Sequence, residues 1–230
     1  MVASAPRARP PVVSIALSLV ATGLDAALLA LALGGLAPLA GHARALALLA
    51  VWGAGNATLA VLRPVAGHDA VATGPRERLV LVALLVLPLA VGPLGAWGER
   101  AGLAPRPGGE ALGWAGVALA AAGLALRIAA MAQLGPRFSP VVALQRGHAL
   151  ETAGLYARVR HPGYLGALLA AAGAALAFDS VLGFAAALGM LPAFRARIRR
   201  EESLLESHFG DAWRAYRART GALWPGPGAR

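Results

Sequence analysis

Cysteine is absent from the 230 residues. That excludes disulfides, thiolate metal sites and a cysteine nucleophile. Lysine is absent as well, because all 21 basic residues are arginine. Charged residues make up only 14% of the chain and aromatic residues 6%, whereas soluble domains carry about one-quarter charged residues. The remainder is apolar: 58% of the residues are hydrophobic and the mean hydropathy is +0.63. One soluble core cannot hide that much apolar surface at this length, so lipid must cover much of it. A net charge of +10 would suit a nucleic-acid partner. Here the arginines lie between and after apolar runs, which is a membrane-topology pattern, and no nucleic acid is expected. The lysine-free, Ala/Gly/Pro-rich composition is that of a GC-rich, bacterial-looking genome, so the expected location is a bacterial inner membrane.

A helix that crosses a bilayer needs roughly 20 mostly apolar residues. Four segments meet this, at 12–36, 43–63, 78–97 and 111–133. The first follows Arg7 and Arg9 but is far longer than a signal-peptide core of roughly 7–15 residues, so it reads as a retained span. A fifth apolar region, 163–194, is too long for one span and is interrupted by Phe178-Asp179-Ser180. It predicts a tight hairpin of two short helices, either of which would extend past its apolar limit or thin the bilayer. The fold class is therefore all-α: a polytopic helical membrane protein of about six membrane helices, plus a cytoplasmic C-terminal helix. Residues 1–110 hold three N-terminal spans, and 111–230 form a second unit around the hairpin.

The arginines set the orientation. With six segments and a cytoplasmic N-terminus, the inside holds Arg7, Arg9, Arg63, Arg76, Arg78, Arg137, Arg146, Arg158, Arg160 and the tail from Arg195 to Arg230. The outside holds only Arg44, Arg100 and Arg106. That bias obeys the positive-inside rule. Two ionisable residues fall inside spans, where a charge is costly and faces protein or a wet cavity. For Asp25 the simplest reading is a hydrogen bond to a neighbouring helix. Arg127 either snorkels to the nearby interface or serves a site. Gly53 and Gly55, with Asn56, suit a close helix contact.

From residue 131 the chain becomes polar and aromatic: MAQLGPRFSP at 131–140, GHALETAGLYARVRHPGYLG at 147–166, RARIRREE at 195–202 and HFGDAWRAY at 208–216. Irregular polar backbone near a membrane survives only where it is protein-buried or lines a wet cavity. Pro162 suits the first position of a helix, and the unpaired N–H groups that begin such a helix can seat a ligand carboxylate. Arg197 and Glu201, four apart on a helix, share a face, while Glu202 points elsewhere. An acid pair beside a basic run can take an ammonium and an anion together, as a zwitterionic amino-acid group requires. Trp213 and Tyr216 read as packing an amphipathic surface helix. No His/Asp/Glu set has metal-ligand spacing, and no glycine-rich nucleotide fingerprint follows a strand.

This text resembles the isoprenylcysteine carboxyl methyltransferase family and, more distantly, phospholipid methyltransferases. The resemblance covers residues 124–225 and rests on the ordered pattern LG..FS … H.L...G.Y...RHP.Y.G … R...EE..L...FG..W..Y. It implies a helical membrane enzyme that uses S-adenosylmethionine without a Rossmann fold. The family's cofactor-holding positions map to His148, Ala149, Leu150 and Glu151, to Tyr156, to His161, Pro162, Gly163 and Tyr164, and to Glu201. Its substrate-side arginine maps to Arg197, which with Glu202 makes the candidate catalytic pair. Glu151 departs from the apolar residue usual at its place. The function so implied is methyl transfer to a lipophilic or lipid-linked acceptor at the cytoplasmic membrane face, with a carboxylate as one acceptor. Three alternatives share parts of the pattern: an NADPH-dependent membrane reductase of sterol-reductase type, a phospholipid amine methyltransferase, and a non-catalytic membrane scaffold.

Overall fold

The structure, a computed structural model, describes residues 11–62, 75–103, 109–135 and 149–226. The topological arginines Arg7, Arg9, Arg63, Arg106, Arg137, Arg146 and Arg230 lie outside the described residues, as does His148. Eight α-helices are described: α1 (Pro11–Leu33), α2 (Leu36–Ala40), α3 (Ala43–Leu62), α4 (Pro75–Arg100), α5 (Gly109–Leu134), α6 (Pro162–Ala177), α7 (Val181–Phe209) and α8 (Asp211–Arg219). A 3₁₀ turn spans Gly154–Ala157. Among the described residues the only β-type pairing is an isolated bridge between Val159 and Gly221.

Five of these helices are long and apolar enough to cross a membrane: α1, α3, α4, α5 and α7. The chain is thus an integral membrane protein, and its fold is helical as the sequence implies. α6 is the sixth apolar helix. Its 16 residues reach only about 24 Å at the α-helical rise, short of a hydrocarbon layer of about 30 Å. α7 makes up the difference in the opposite sense. Its 29 residues reach about 43 Å, so the end that carries Arg195 to Glu202 projects past the apolar zone. The first span ends earlier than the sequence pattern suggests. Gly34 and Gly35 adopt φ of +95° and +137°, a conformation open to glycine, and divide the apolar run into α1 and the short α2.

The hairpin turns where the sequence interrupts it. Asp179 sits in the left-handed region at φ +45°, which aspartate tolerates better than most residues. Phe178 is fully buried beside it.

α5 and α6 form the most extensive helix contact. Its cause is a pair of glycines on each helix, seven residues apart: Gly116 and Gly123 on α5, Gly166 and Gly173 on α6. Seven residues are close to two turns, so each pair lies on one face. The pairs meet reciprocally. A Cβ on Gly123 would stand 2.7 Å from the Gly166 carbonyl oxygen, and one on Gly166 would stand 2.6 Å from that of Gly123. Gly116 and Gly173 repeat this at 2.8 and 2.6 Å. In lipid, where no hydrophobic force drives helices together, backbone approach of this kind supplies the packing. The expected α3 contact is also present: Gly53 faces Thr22, Asn56 Nδ2 donates to Thr22 Oγ1 at 3.2 Å, and Gly55 packs against Leu124.

Away from α6's polar start, a network ties the other end of the bundle. Arg44 on α3 donates to Glu99 Oε1 on α4 at 2.7 Å and to the Ala177 carbonyl at the end of α6 at 2.6 Å. His42 Nδ1 accepts from the Ala45 N–H at 3.2 Å, and its Nε2 stands 3.1 Å from Glu99 Oε2. An accepting Nδ1 leaves Nε2 as the nitrogen that carries hydrogen toward the carboxylate.

Candidate functional site

The segment before α6 is held from three sides. Gln133, at the end of α5, accepts from the Leu155 N–H at 3.1 Å and donates to the Ala153 carbonyl at 2.8 Å. It lies against Gly154, whose φ is +53°. Glu151 accepts from the Ala153 N–H at 3.1 Å. Tyr156 is buried and donates through its hydroxyl to the Ala130 carbonyl at 3.2 Å. From the other side Tyr216 of α8 donates to the Tyr156 carbonyl at 2.7 Å. The backbone of Arg160 and His161 pairs with Gly221 and Ala222 beyond α8. α8 is therefore no surface helix alone: Trp213 and Tyr216 are 1% and 3% exposed and clamp the segment. Burial pushes the Tyr216 phenol up to about 12, so it stays a donor across the physiological range.

α7 supplies the opposite wall. Tyr164 stands between the two predicted residues of the shared face. Its hydroxyl donates to Glu201 Oε2 at 2.9 Å and accepts from Arg197 Nε at 3.2 Å. The ring stacks on His161 with centroids 5.5 Å apart and tilts against Phe194 at 5.2 Å. Arg197 is only 6% exposed. Glu202 turns away from this group. Its Oε1 accepts from Arg160 Nε at 2.8 Å and stands 3.1 Å from His161 Nε2. The Arg160 guanidinium also reaches the carbonyls of Arg217 and Thr220. Glu202 thus fastens the segment to α7 and α8.

These elements surround one cavity of about 730 Å³, within the range of small-molecule sites. Of the residues expected to hold a cofactor, Leu150, Glu151, Tyr156, His161, Gly163, Tyr164 and Glu201 line it, together with Arg197. All three tyrosines of the chain are in its wall. Pro162 begins α6 and is buried behind the wall, and Ala149 is exposed outside it. Glu202, expected as a catalytic partner of Arg197, is not in the wall either, since its helix position sends it to Arg160.

Other wall residues come from the membrane spans. Arg127 does not snorkel: it faces the cavity and donates to the Gly163 carbonyl at 3.1 Å. Asp25 forms no hydrogen bond to a neighbouring helix among the described residues. It too lines the cavity, with Asn56, Trp52 and Leu81 to Leu89. The cavity is therefore two-ended. One end is polar and aromatic, at the start of α6. The other is an apolar arm among α1, α3, α4, α5 and α6. The only advance sign of the arm was a pair of polar residues in otherwise apolar helices.

Residues 116–207 match the model of the Isoprenylcysteine carboxyl methyltransferase (ICMT) family. That stretch holds most of α5, all of α6, the clamped segment and most of α7, so the resemblance read from the sequence is borne out there. Protein-S-isoprenylcysteine O-methyltransferase of Schizosaccharomyces pombe is 43% identical over 97 residues, which are 40% of this chain and 40% of that one. The chain thus aligns with about two-fifths of that relative's length. The structure is also similar to that of the eukaryotic intramembrane Ras methyltransferase ICMT. The TM-score is 0.51 at 23% identity, covering 78% of this chain and 67% of the other. That likeness extends the shared helical fold beyond the ICMT-family segment.

Proposed function

We propose that this chain transfers a methyl group from S-adenosylmethionine to the carboxylate of a lipophilic acceptor, at the cytoplasmic face of the membrane. The observation that carries this reading is the two-ended cavity: a polar cradle continuous with an apolar arm between membrane helices. A water-soluble cofactor would enter one end and a lipid-like acceptor the other. The ICMT-family match over 116–207 gives the reading its chemistry.

The residues at the polar end suit the cofactor. Glu201, held by Tyr164, offers a carboxylate for an ammonium group. At the start of α6 Pro162 has no N–H and the Tyr164 and Leu165 N–H groups donate to the His161 carbonyl, so it is Gly163, facing the cavity, that offers its N–H for a carboxylate. Tyr156, Tyr216 and Trp213 present aromatic surface for a base. When bound, the cofactor supplies a methyl carbon on a sulfonium leaving group. The chain aligns the acceptor and excludes water. Arg197 is the residue for the acceptor's anionic head, because the Tyr164 hydroxyl fixes its guanidinium at the junction of the two ends. A carboxylate acceptor is already an anion, so no general base is required. Glu202 is a positioning residue that acts through Arg160 and His161.

The test is a methyl-transfer assay with radiolabelled S-adenosylmethionine on purified protein and a membrane lipid extract, with products identified by mass. A base-labile methyl ester of a lipophilic acid is the expected product. Binding of NADPH in place of S-adenosylhomocysteine by titration calorimetry would overturn the reading in favour of a reductase.

A further inference from the structure

The apolar arm contains a polar station that the transfer reaction does not use. Asp25 lies near the middle of α1, and Asn56 lies on α3 a turn and a half from its end. Both line the cavity, among Ala21, Leu24, Trp52 and Leu85. Asn56 spends its Nδ2 on Thr22 Oγ1, while Thr22 itself donates to the Ser18 carbonyl at 2.9 Å. The Asn56 amide oxygen and both Asp25 oxygens are without a partner among the described residues. A polar group inside a membrane segment is costly unless it is matched, and such groups mark ligand paths. Unmatched carboxyl and amide oxygens facing one space call for a hydrogen-bond donor in that space. The rest of the arm is apolar, so the donor must ride on a hydrocarbon chain. A neutral hydroxyl fits better than an ammonium, whose transfer into hydrocarbon is far more costly.

We infer that Asp25 and Asn56 form a specificity site for the acceptor's tail, selecting a lipophilic carboxylic acid that carries a hydroxyl well down its chain over one with a plain hydrocarbon tail. This rests on the proposed function only in the placement of the acid head near Arg197. Asp25 and Asn56 sit on helices outside the matched ICMT-family segment, so the selectivity belongs to this chain's N-terminal spans.

The experiment measures binding to the full chain in lipid nanodiscs with S-adenosylhomocysteine present. The ligands are hexadecanoic acid and its mono-hydroxylated isomers, with the hydroxyl near the head, mid-chain or at the tail end. One distal isomer should bind about five- to tenfold more tightly than the plain acid, the size of one well-made hydrogen bond. Asp25→Leu should abolish that preference, and Asn56→Leu should weaken it. Equal affinity of all isomers for the wild-type chain overturns the inference, whether or not either variant folds. So does a preference that survives in Asp25→Leu. Methyl transfer to the plain acid is followed in parallel. Turnover without tail selectivity removes the tail site alone. Tail selectivity without any methyl transfer removes the proposed function alone.

Discussion

Neighbouring helix positions differ by about 100° around the axis, and that step separates the work of two adjacent carboxylates. Glu201 faces the cavity and meets Tyr164, while Glu202 faces the clamped segment and meets Arg160 and His161. Neutralising each should therefore have a different signature. Glu201→Gln should weaken S-adenosylhomocysteine binding about 10- to 100-fold, the range of a hydrogen bond to a charged group, with little change in melting temperature. Unchanged affinity in calorimetry would remove Glu201 from the cofactor site. Glu202→Gln should lower both affinity and melting temperature, because Arg160 loses its counter-charge in a mostly buried setting. Glu202→Asp should recover part of each. Arg197→Ala should cost turnover about 100-fold if its guanidinium orients the acceptor. Full turnover in that variant would take Arg197 off the acceptor side. Tyr216 adds a pH dependence. Its phenol has a raised folded value of about 12. Its contribution to stability is thus complete below the ordinary value of about 10 and is lost as pH rises from there. Alkaline melting curves of Tyr216→Phe and wild type should converge over that window.

At the level of elements, the seam between α5 and α6 decides where the site can form. Gly166 is in the first turns of α6, against the backbone of Arg127, and the wall residues Gly163 and Tyr164 lie in the turn before it. A side chain at Gly123 or Gly173 would push the helices apart and widen the wall. Gly123→Leu should destabilise the protein by about 1–3 kcal/mol or more through overpacking, read as a lower melting temperature in detergent. Gly189→Leu is the matched control. That glycine is exposed on α7, and an added Cβ would meet only Leu87 at 4.0 Å. Equal effects of the two changes would deny the seam its role. Gln133 is the other element-level device, since one side chain satisfies two backbone groups of the 3₁₀ turn. Gln133→Ala should speed hydrogen exchange at the Leu155 amide while leaving the membrane helices protected.

For the whole molecule, the two ends of the bundle are held by different chemistry. One end is the cavity mouth with its arginine-rich α7 extension. The other is the Arg44–Glu99–His42 network, which joins α3, α4 and the tip of the hairpin. Removing Glu99 as Ala would leave Arg44 partly buried without its counter-charge. The expected cost is about 3–5 kcal/mol, seen in thermal unfolding with no direct effect on the cavity. The orientation can be tested because the chain lacks cysteine. A single Arg219→Cys should react with a membrane-impermeant thiol reagent from the cytoplasmic side. Leu103→Cys, in the turn after α4, should react only from the opposite side. Labelling of both from one side would reject the arrangement.

The sequence by itself determined that this is a membrane protein, where most spans run, and where the hairpin breaks. Those features follow from local hydropathy and from turn residues such as Phe178-Asp179-Ser180, which act within a few positions of one another. It also pointed to Tyr156, His161, Tyr164, Arg197 and Glu201, because their types and order form a recognisable pattern. Only the tertiary structure decided that Glu202 fastens rather than lines the cavity, that Trp213 and Tyr216 are buried clamps, and that Arg127 faces inward. It alone joined Asp25 and Asn56, on α1 and α3, to the same space as Glu201 on α7. Such joins depend on which faces of distant helices meet. That is set by the interlocking of Gly116 and Gly123 with Gly166 and Gly173, a contact between backbones that hydropathy does not record.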